Sequence, residues 1–133
     1  MKKTNLVCPC GSGTSYAACC AHWHNGAAPP TAEALMRSRY SAFVLRLEPY
    51  LLATWHSTTR PESLALEAEP VPKWLKLEIK RHSATGPDTA IVEFIAYYRA
   101  GGQAHQLHEV SRFVCEKGRW YYIDGEFRLG GQP

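Results

Sequence analysis

Residues 89–127 read TAIVEFIAYYRAGGQAHQLHEVSRFVCEKGRWYYIDGEF. Three runs, the first rich in β-branched and aromatic residues, are set apart by the turn-forming pairs Gly101-Gly102 and Lys117-Gly118. That is the signature of consecutive hairpins. Working backwards, WLKLEIKRHSA from Trp74 alternates apolar residues with Lys76, Glu78 and Lys80, and Gly86-Pro87-Asp88 supplies another turn. About four antiparallel strands are expected from Trp74 onward.

Upstream the period changes. In TAEALMRSRYSAFVLRL, Met36, Tyr40, Phe43 and Leu47 recur at helical spacing and form one buried stripe, with Thr31 as N-cap. Arg39 falls on the flank of that stripe beside Leu35 and Ala42; Arg37 faces solvent. Pro49 suits the first turn of a second helix and Pro61 opens a third, PESLALEA. Helices followed by strands specify an α+β domain with the helices packed on one face of the sheet.

The 133 residues carry 45% apolar residues, enough for one packed core. No apolar run is long enough for a transmembrane helix, and MKKTNLVCPC lacks the apolar stretch of a secretory signal, so a cytoplasmic location is expected. The net charge of +3 divides into +4 up to Arg46 and −1 beyond it. Lys2, Lys3, Arg37 and Arg39 do not make the dense basic stripe of a nucleic-acid footprint.

CPCGSGTSYAACC, residues 8–20, holds four of the five cysteines. In a reducing compartment clustered thiols read as a metal site before a disulfide, and adjacent Cys19 and Cys20 would be strained as a disulfide. Four thiolates close a tetrahedral site and leave no open position for Lewis-acid chemistry. Zn²⁺ fits best, and iron shares the preference for sulfur. Gly11 and Gly13 allow the chain to wrap an ion, and Tyr16 and Trp23 supply local packing. Residues 1–24 are thus a finger, 25–31 (within HNGAAPPT) a linker and 32–133 an α+β domain. The finger has too little apolar surface to fold alone, so chelation is expected to unfold it and leave the rest intact.

The spacing C-x-C-x₈-C-C, with Gly-Ser-Gly after the second cysteine, resembles the SEC-C metal finger found at the C-terminus of the translocation ATPase SecA. The resemblance implies Cys8, Cys10, Cys19 and Cys20 as ligands, with His22 in reserve for the fourth place. LMRSRYSAFV, YLLATWH, EVSRFV and RWYYIDG further resemble the motifs of the YchJ family. That resemblance implies a cystatin-like cone, as in nuclear transport factor 2, in which three helices close over a curved sheet and leave a pocket. YchJ itself carries a second finger after the last strand. No cysteine follows Cys115 here, so a function needing two fingers is not implied.

Within the cone, Leu107, Glu109, Ser111 and Phe113 share one strand face, and Trp120, Tyr122 and Asp124 another. Tyr40, Trp55, His56 and Tyr97 are placed to line a cavity. A catalytic reading makes Glu109 or Asp124 a general base partnered by His56 or Tyr97, as in an isomerase or hydratase. The favoured reading is a buried Arg39–Glu109 ion pair with no catalytic residue, and Cys115 in the core. The expected function is then a binding or adaptor protein with a structural zinc finger. Its expected partner is a protein of the translocation or ribosomal machinery, and pairing through the outer sheet face would give a homodimer.

Overall fold

The structure, a computed structural model, describes residues 6–128. Lys2 and Lys3 lie outside the described residues. A short 3-10 turn, Tyr16–Ala18, and helix α1, Cys20–His24, belong to the cysteine-rich segment. Helices α2, Ala32–Leu45, and α3, Glu48–Ala53, follow. Strands β1 (Lys73–Gly86), β2 (Thr89–Ala100), β3 (Gln103–Glu116) and β4 (Arg119–Phe127) then form an antiparallel meander in the order β1-β2-β3-β4.

Strand alternation decides which side of the sheet is dry. Ala90, Val92, Phe94 and Ala96 of β2 are buried, as are Glu109, Ser111 and Phe113 of β3. These residues face α2, whose Leu35, Met36 and Tyr40 complete the core. Each large side chain buried here contributes about 1.5–3 kcal/mol. Register shifts at Trp74/Lys76, Ile79/Arg81 and Ala84/Gly86 bend the edge strand β1. Such bulges strengthen twist and curl the sheet, which makes its inner face concave. The outer face carries polar pairs: Arg81 and His108 both meet Glu93 at 2.7 Å, and Arg112 meets Asp124 at 2.7 Å.

Helix α2 starts where expected, with the Thr31 hydroxyl accepting from the Ala34 N–H at 3.0 Å. It ends at Leu45, so Leu47 of the predicted stripe lies beyond the helix. The expected third helix, PESLALEA, is absent: residues 61–68 run as turns and bends. Eight residues between Pro61 and Pro70 are too few to offset the cost of helix nucleation without a packed face. The Leu64 N–H is instead held by the Glu48 carboxylate at 3.1 Å.

The exit from α2 places Arg46 in the left-handed region, φ 59°, ψ 48°. The Leu47 N–H returns to the Ala42 carbonyl at 2.8 Å and the Arg46 N–H to Phe43 at 3.2 Å, which is a Schellman turn. A side chain there is strained, and the Arg46–Glu67 ion pair is too exposed to compensate. Arg46→Gly should therefore raise stability by about 0.5–1 kcal/mol in urea denaturation.

Candidate functional site

The cysteine-rich segment folds as a small loop closed on itself. The Cys8 N–H bonds the Thr14 carbonyl at 2.9 Å, the Tyr16 N–H bonds Leu6 at 2.8 Å, and Val7 bridges Ser15. Gly11 and Gly13 turn the loop at φ +85° and +89°. Helix α1 then brings Cys20 back beneath it. The Sγ atoms of Cys8, Cys10, Cys19 and Cys20 all lie within 4.8 Å of one another. Cys10 and Cys19 are 3.7 Å apart, Cys19 and Cys20 4.0 Å. A tetrahedron with zinc–sulfur bonds of about 2.3 Å has sulfur–sulfur edges of about 3.8 Å; these two edges match it closely, and contraction of the set by about an ångström or less would close all four sulfurs on a metal ion. His22 is exposed and outside the cluster.

The sulfurs also share charge. Hydrogen bonding from Cys20, and then from Ser12, pulls the Cys10 thiol far below its usual range, while the same contact and burial push Cys20 up. One site thus readily holds a thiolate, and a cation would draw out the remaining protons. Tyr16 and Trp23 pack against the cluster, as the sequence suggests.

The finger is seated on α2. Ser41 Oγ lies 3.4 Å from Cys20 Sγ and 3.5 Å from Cys8 Sγ. Arg37, expected in solvent, bridges Glu33 at 3.1 Å and the Cys10 carbonyl at 2.8 Å. His24 donates from Nε2 to the Ser38 carbonyl at 2.9 Å, which leaves Nδ1 to accept from Tyr16 OH at 2.6 Å. Tyr50 stacks edge-on against His24 and donates to Ser38 Oγ at 2.7 Å.

The second feature is a cavity of about 280 Å³ between α2 and the concave sheet face. Its walls include Tyr40, Phe43, Trp55, Trp74, Phe94 and Leu107, and Phe127, 61% exposed, stands at its rim. The lining residues whose side chains carry polar groups include Arg39, Tyr40, Trp55, Glu109, Ser111 and Tyr122. Of the seven candidate residues, the structure brings together Arg39, Tyr40, Trp55 and Glu109. It places the other three elsewhere. Tyr97 has the opposite strand parity from Val92, Phe94 and Ala96, and donates to Glu78 at 2.8 Å on the outer face. His56 follows Trp55, turns away from the cavity and meets Glu116 at 2.9 Å. Asp124 faces outward to Arg112 because a bulge in β4 resets the alternation: Phe113 pairs with Tyr122, but Arg112 with Asp124. Trp120 and Tyr122 keep the inner face; Asp124 does not. Cys115 is half-buried rather than in the core.

Arg39 and Glu109 are both buried, 4% and 6% exposed, yet they form no ion pair. Arg39 donates to the Leu51 carbonyl at 2.9 Å and to Thr54 Oγ1 at 2.7 Å. Its guanidinium lies 4.7 Å from the Tyr122 ring centre and 5.1 Å from that of Trp55. Burial lowers it to about 10, and Tyr122, Tyr50 and Glu109 partly offset the shift, so it stays charged. Glu109 Oε2 accepts from Ser111 at 2.9 Å and from Tyr122 OH at 3.0 Å. Burial and the neighbouring carboxylate raise Tyr122 well above its usual value and keep it a donor. Ser111, Tyr122 and Gly125 were missed in the sequence as parts of this site. The parity of Ser111 with Glu109 was the available signal.

A four-thiol finger seated on an NTF2-like cone defines the class. Residues 31–125 match the family described as YchJ, middle NTF2-like domain, and residues 5–21 the SEC-C motif. A UPF0225 protein of Methylibium petroleiphilum is 53% identical over 129 residues, 94% of this chain and 91% of that protein. One from Xanthomonas campestris is 55% identical over 118 residues, 88% and 92% of the two chains. A SEC-C motif containing protein from Rhodopseudomonas palustris, solved in solution, superposes with a TM-score of 0.80 at 33% identity, covering 91% of this chain and 98% of that one. A crystal structure of another, from Psychrobacter arcticus, gives 0.79 at 29% identity, with 97% and 86% covered. The chain belongs to the YchJ family of UPF0225 proteins.

Two outcomes test this geometry. A Cβ built at Gly125 would overlap the Glu109 carboxylate. Gly125→Ala should cost about 1–3 kcal/mol in urea denaturation, and nearly nothing in a Glu109→Ala background. Burial lowers His24 below the usual imidazole value of about 6.5. The unfolded chain then binds the extra proton first, so stability is lost as pH falls through 6.5. The loss between pH 7.5 and 5.5 should be smaller in His24→Gln, measured by thermal denaturation.

Proposed function

We propose that this protein is a cytoplasmic binding module built around a structural zinc site, with no catalytic role for the metal. We assign residues 1–24 to the finger, 25–31 to the linker and 32–133 to the cone, of which residues 6–128 are described. The observation that carries the reading is the convergence of four Sγ atoms within 4.8 Å, the donor set of a tetrahedral thiolate site. Zinc is the preferred occupant, since four sulfurs close its coordination and the site offers no position to substrate. The ion's work is to fold the finger, whose contacts with Arg37, Ser38 and Ser41 then seat it on α2.

The partner is a protein. The SEC-C match supports this reading, because the finger it resembles serves as a docking site. So do Leu6 and Val7, 64% and 66% exposed at the open edge of the metal loop. Translocation or ribosome-associated machinery is the expected source. Affinity capture with metal-loaded protein and with a Cys8→Ser/Cys10→Ser variant should give different partner sets; identical sets would remove the docking role.

Elemental analysis of protein purified without added metal should find one zinc per chain; stoichiometric iron would replace zinc in this reading. Because Ser38, Ser41 and Arg37 meet the finger, chelation should reach further than the finger itself. Hydrogen exchange should lose protection over residues 8–24 and weaken it on α2 near Ser38–Ser41, while β2 and β3 stay protected. Protection unchanged at α2 would mean that the metal stabilises the finger alone.

A further inference from the structure

The metal site accounts for the finger but not for the polar groups under the aromatic cavity. A buried carboxylate ordinarily has all its lone pairs answered. Glu109 has one oxygen answered twice, Oε2, by Ser111 and Tyr122. Its Oε1 receives no hydrogen bond among the described residues. Nor is Oε1 sealed off: the one enclosed side-chain polar atom without a partner among the described residues is Trp55 Nε1. Glu109 lines the cavity, so its free acceptor is offered to whatever enters.

The charges around the cavity narrow the visitor. Arg39 does not reach across to Glu109; it is spent on Leu51, Thr54 and the two aromatic rings. It remains as a fixed buried cation beside the space. A cationic ligand would meet Arg39 at low dielectric, and an anionic ligand would meet Glu109. The walls are aromatic and aliphatic, and at about 280 Å³ the space suits one or two rings.

We propose that this cavity binds an uncharged molecule of one or two aromatic or alicyclic rings carrying a hydroxyl or N–H group, which donates to Glu109 Oε1. Tyr122 and Ser111 act as positioning residues: they fix the carboxylate so that its free oxygen faces inward. Gly125, opposite Ser111 in the ladder, makes the room for that pose.

The test uses full-length, metal-loaded protein labelled with ¹⁵N, titrated with 2-naphthol, 2-methoxynaphthalene and 2-naphthoate. The indole N–H signals of Trp55 and Trp74 report on the walls. The expected result is saturable shifts with 2-naphthol, and affinity at least about tenfold lower for 2-methoxynaphthalene, which has the same rings and no donor. The 2-naphthoate anion should bind more weakly than 2-naphthol. This comparison needs no variant. In Glu109→Gln, Ser111 and Tyr122 should hold the amide oxygen, turning the NH₂ toward the cavity; the preference for 2-naphthol should then vanish. Ala96→Leu, which fills the space from β2, should abolish binding while the amide spectrum stays folded. Equal affinity for 2-naphthol and its methyl ether, tighter binding of the anion, undiminished binding by Ala96→Leu, or no binding of any probe to folded protein would each overturn the proposal.

Discussion

Helix α2 has almost no side left for water, and that constraint organises the molecule. Met36 and Tyr40 face the sheet, the Ser41 hydroxyl and the Ser38 carbonyl meet the finger, and Leu35, Arg39 and Ala42 are buried as well. A helix of this composition is not strongly amphipathic in the ordinary sense, because one of its buried faces is made of hydroxyl groups. The serines suit their neighbours: the Ser41 hydroxyl can donate to sulfur, the Ser38 hydroxyl joins α2 to Tyr50 of α3, and small side chains let a backbone loop come close. Cone and finger are therefore two surfaces of a single helix, and each limits what the other can become.

The polar interior follows the same economy of partners. Arg39 is charged and buried without a carboxylate in contact. It is stabilised by a carbonyl, a hydroxyl and the faces of two aromatic rings, which suits a planar guanidinium and would suit an ammonium poorly. This arrangement ties α2 to the end of α3 and to β4. The segment after α3 is fixed from the other side by backbone bonds: His56 N–H to the Tyr122 carbonyl at 2.7 Å, and Tyr122 N–H to Thr54 at 2.9 Å. Trp55 is thereby held as a wall of the cavity without belonging to a helix or a strand.

Much of this is legible in the amino-acid sequence. The change from helical to alternating period gave the α+β class, and hairpin turns gave four strands. The four cysteines announced themselves by density and spacing. Glu109 stood out as a carboxylate among apolar neighbours. What could not be read were events with no local signature. The Arg39–Glu109 pair was expected from two buried opposite charges, but nothing in the sequence revealed that Arg39 would find rings and a carbonyl first. Tyr97 reads as a cavity residue by its aromatic character, but the parity of its own strand places it on the outer face. The PESLALEA segment had helix-forming residues and a suitable proline, yet no surface on which to pack. Arg37 looked solvated because its acceptor, the Cys10 carbonyl, is distant in sequence.

The bulge between Tyr122 and Asp124 shows how the strand encodes inside and outside. A strand works as a two-letter address, each residue taking the side opposite to its neighbour. The extra residue in β4 advances that address by one, so Gly125 and Phe127 face the cavity while Asp124 and Glu126 face the solvent. Apart from Tyr122 and Gly125, which meet Glu109 directly, length is thus a stricter requirement than identity in this strand. Removing a single residue here would not shorten the wall; it would turn its last part inside out, carrying two carboxylates toward Glu109 and the aromatic rim into water. The residue count of β4, as much as any side chain on it, is fixed by the geometry the strand must reach.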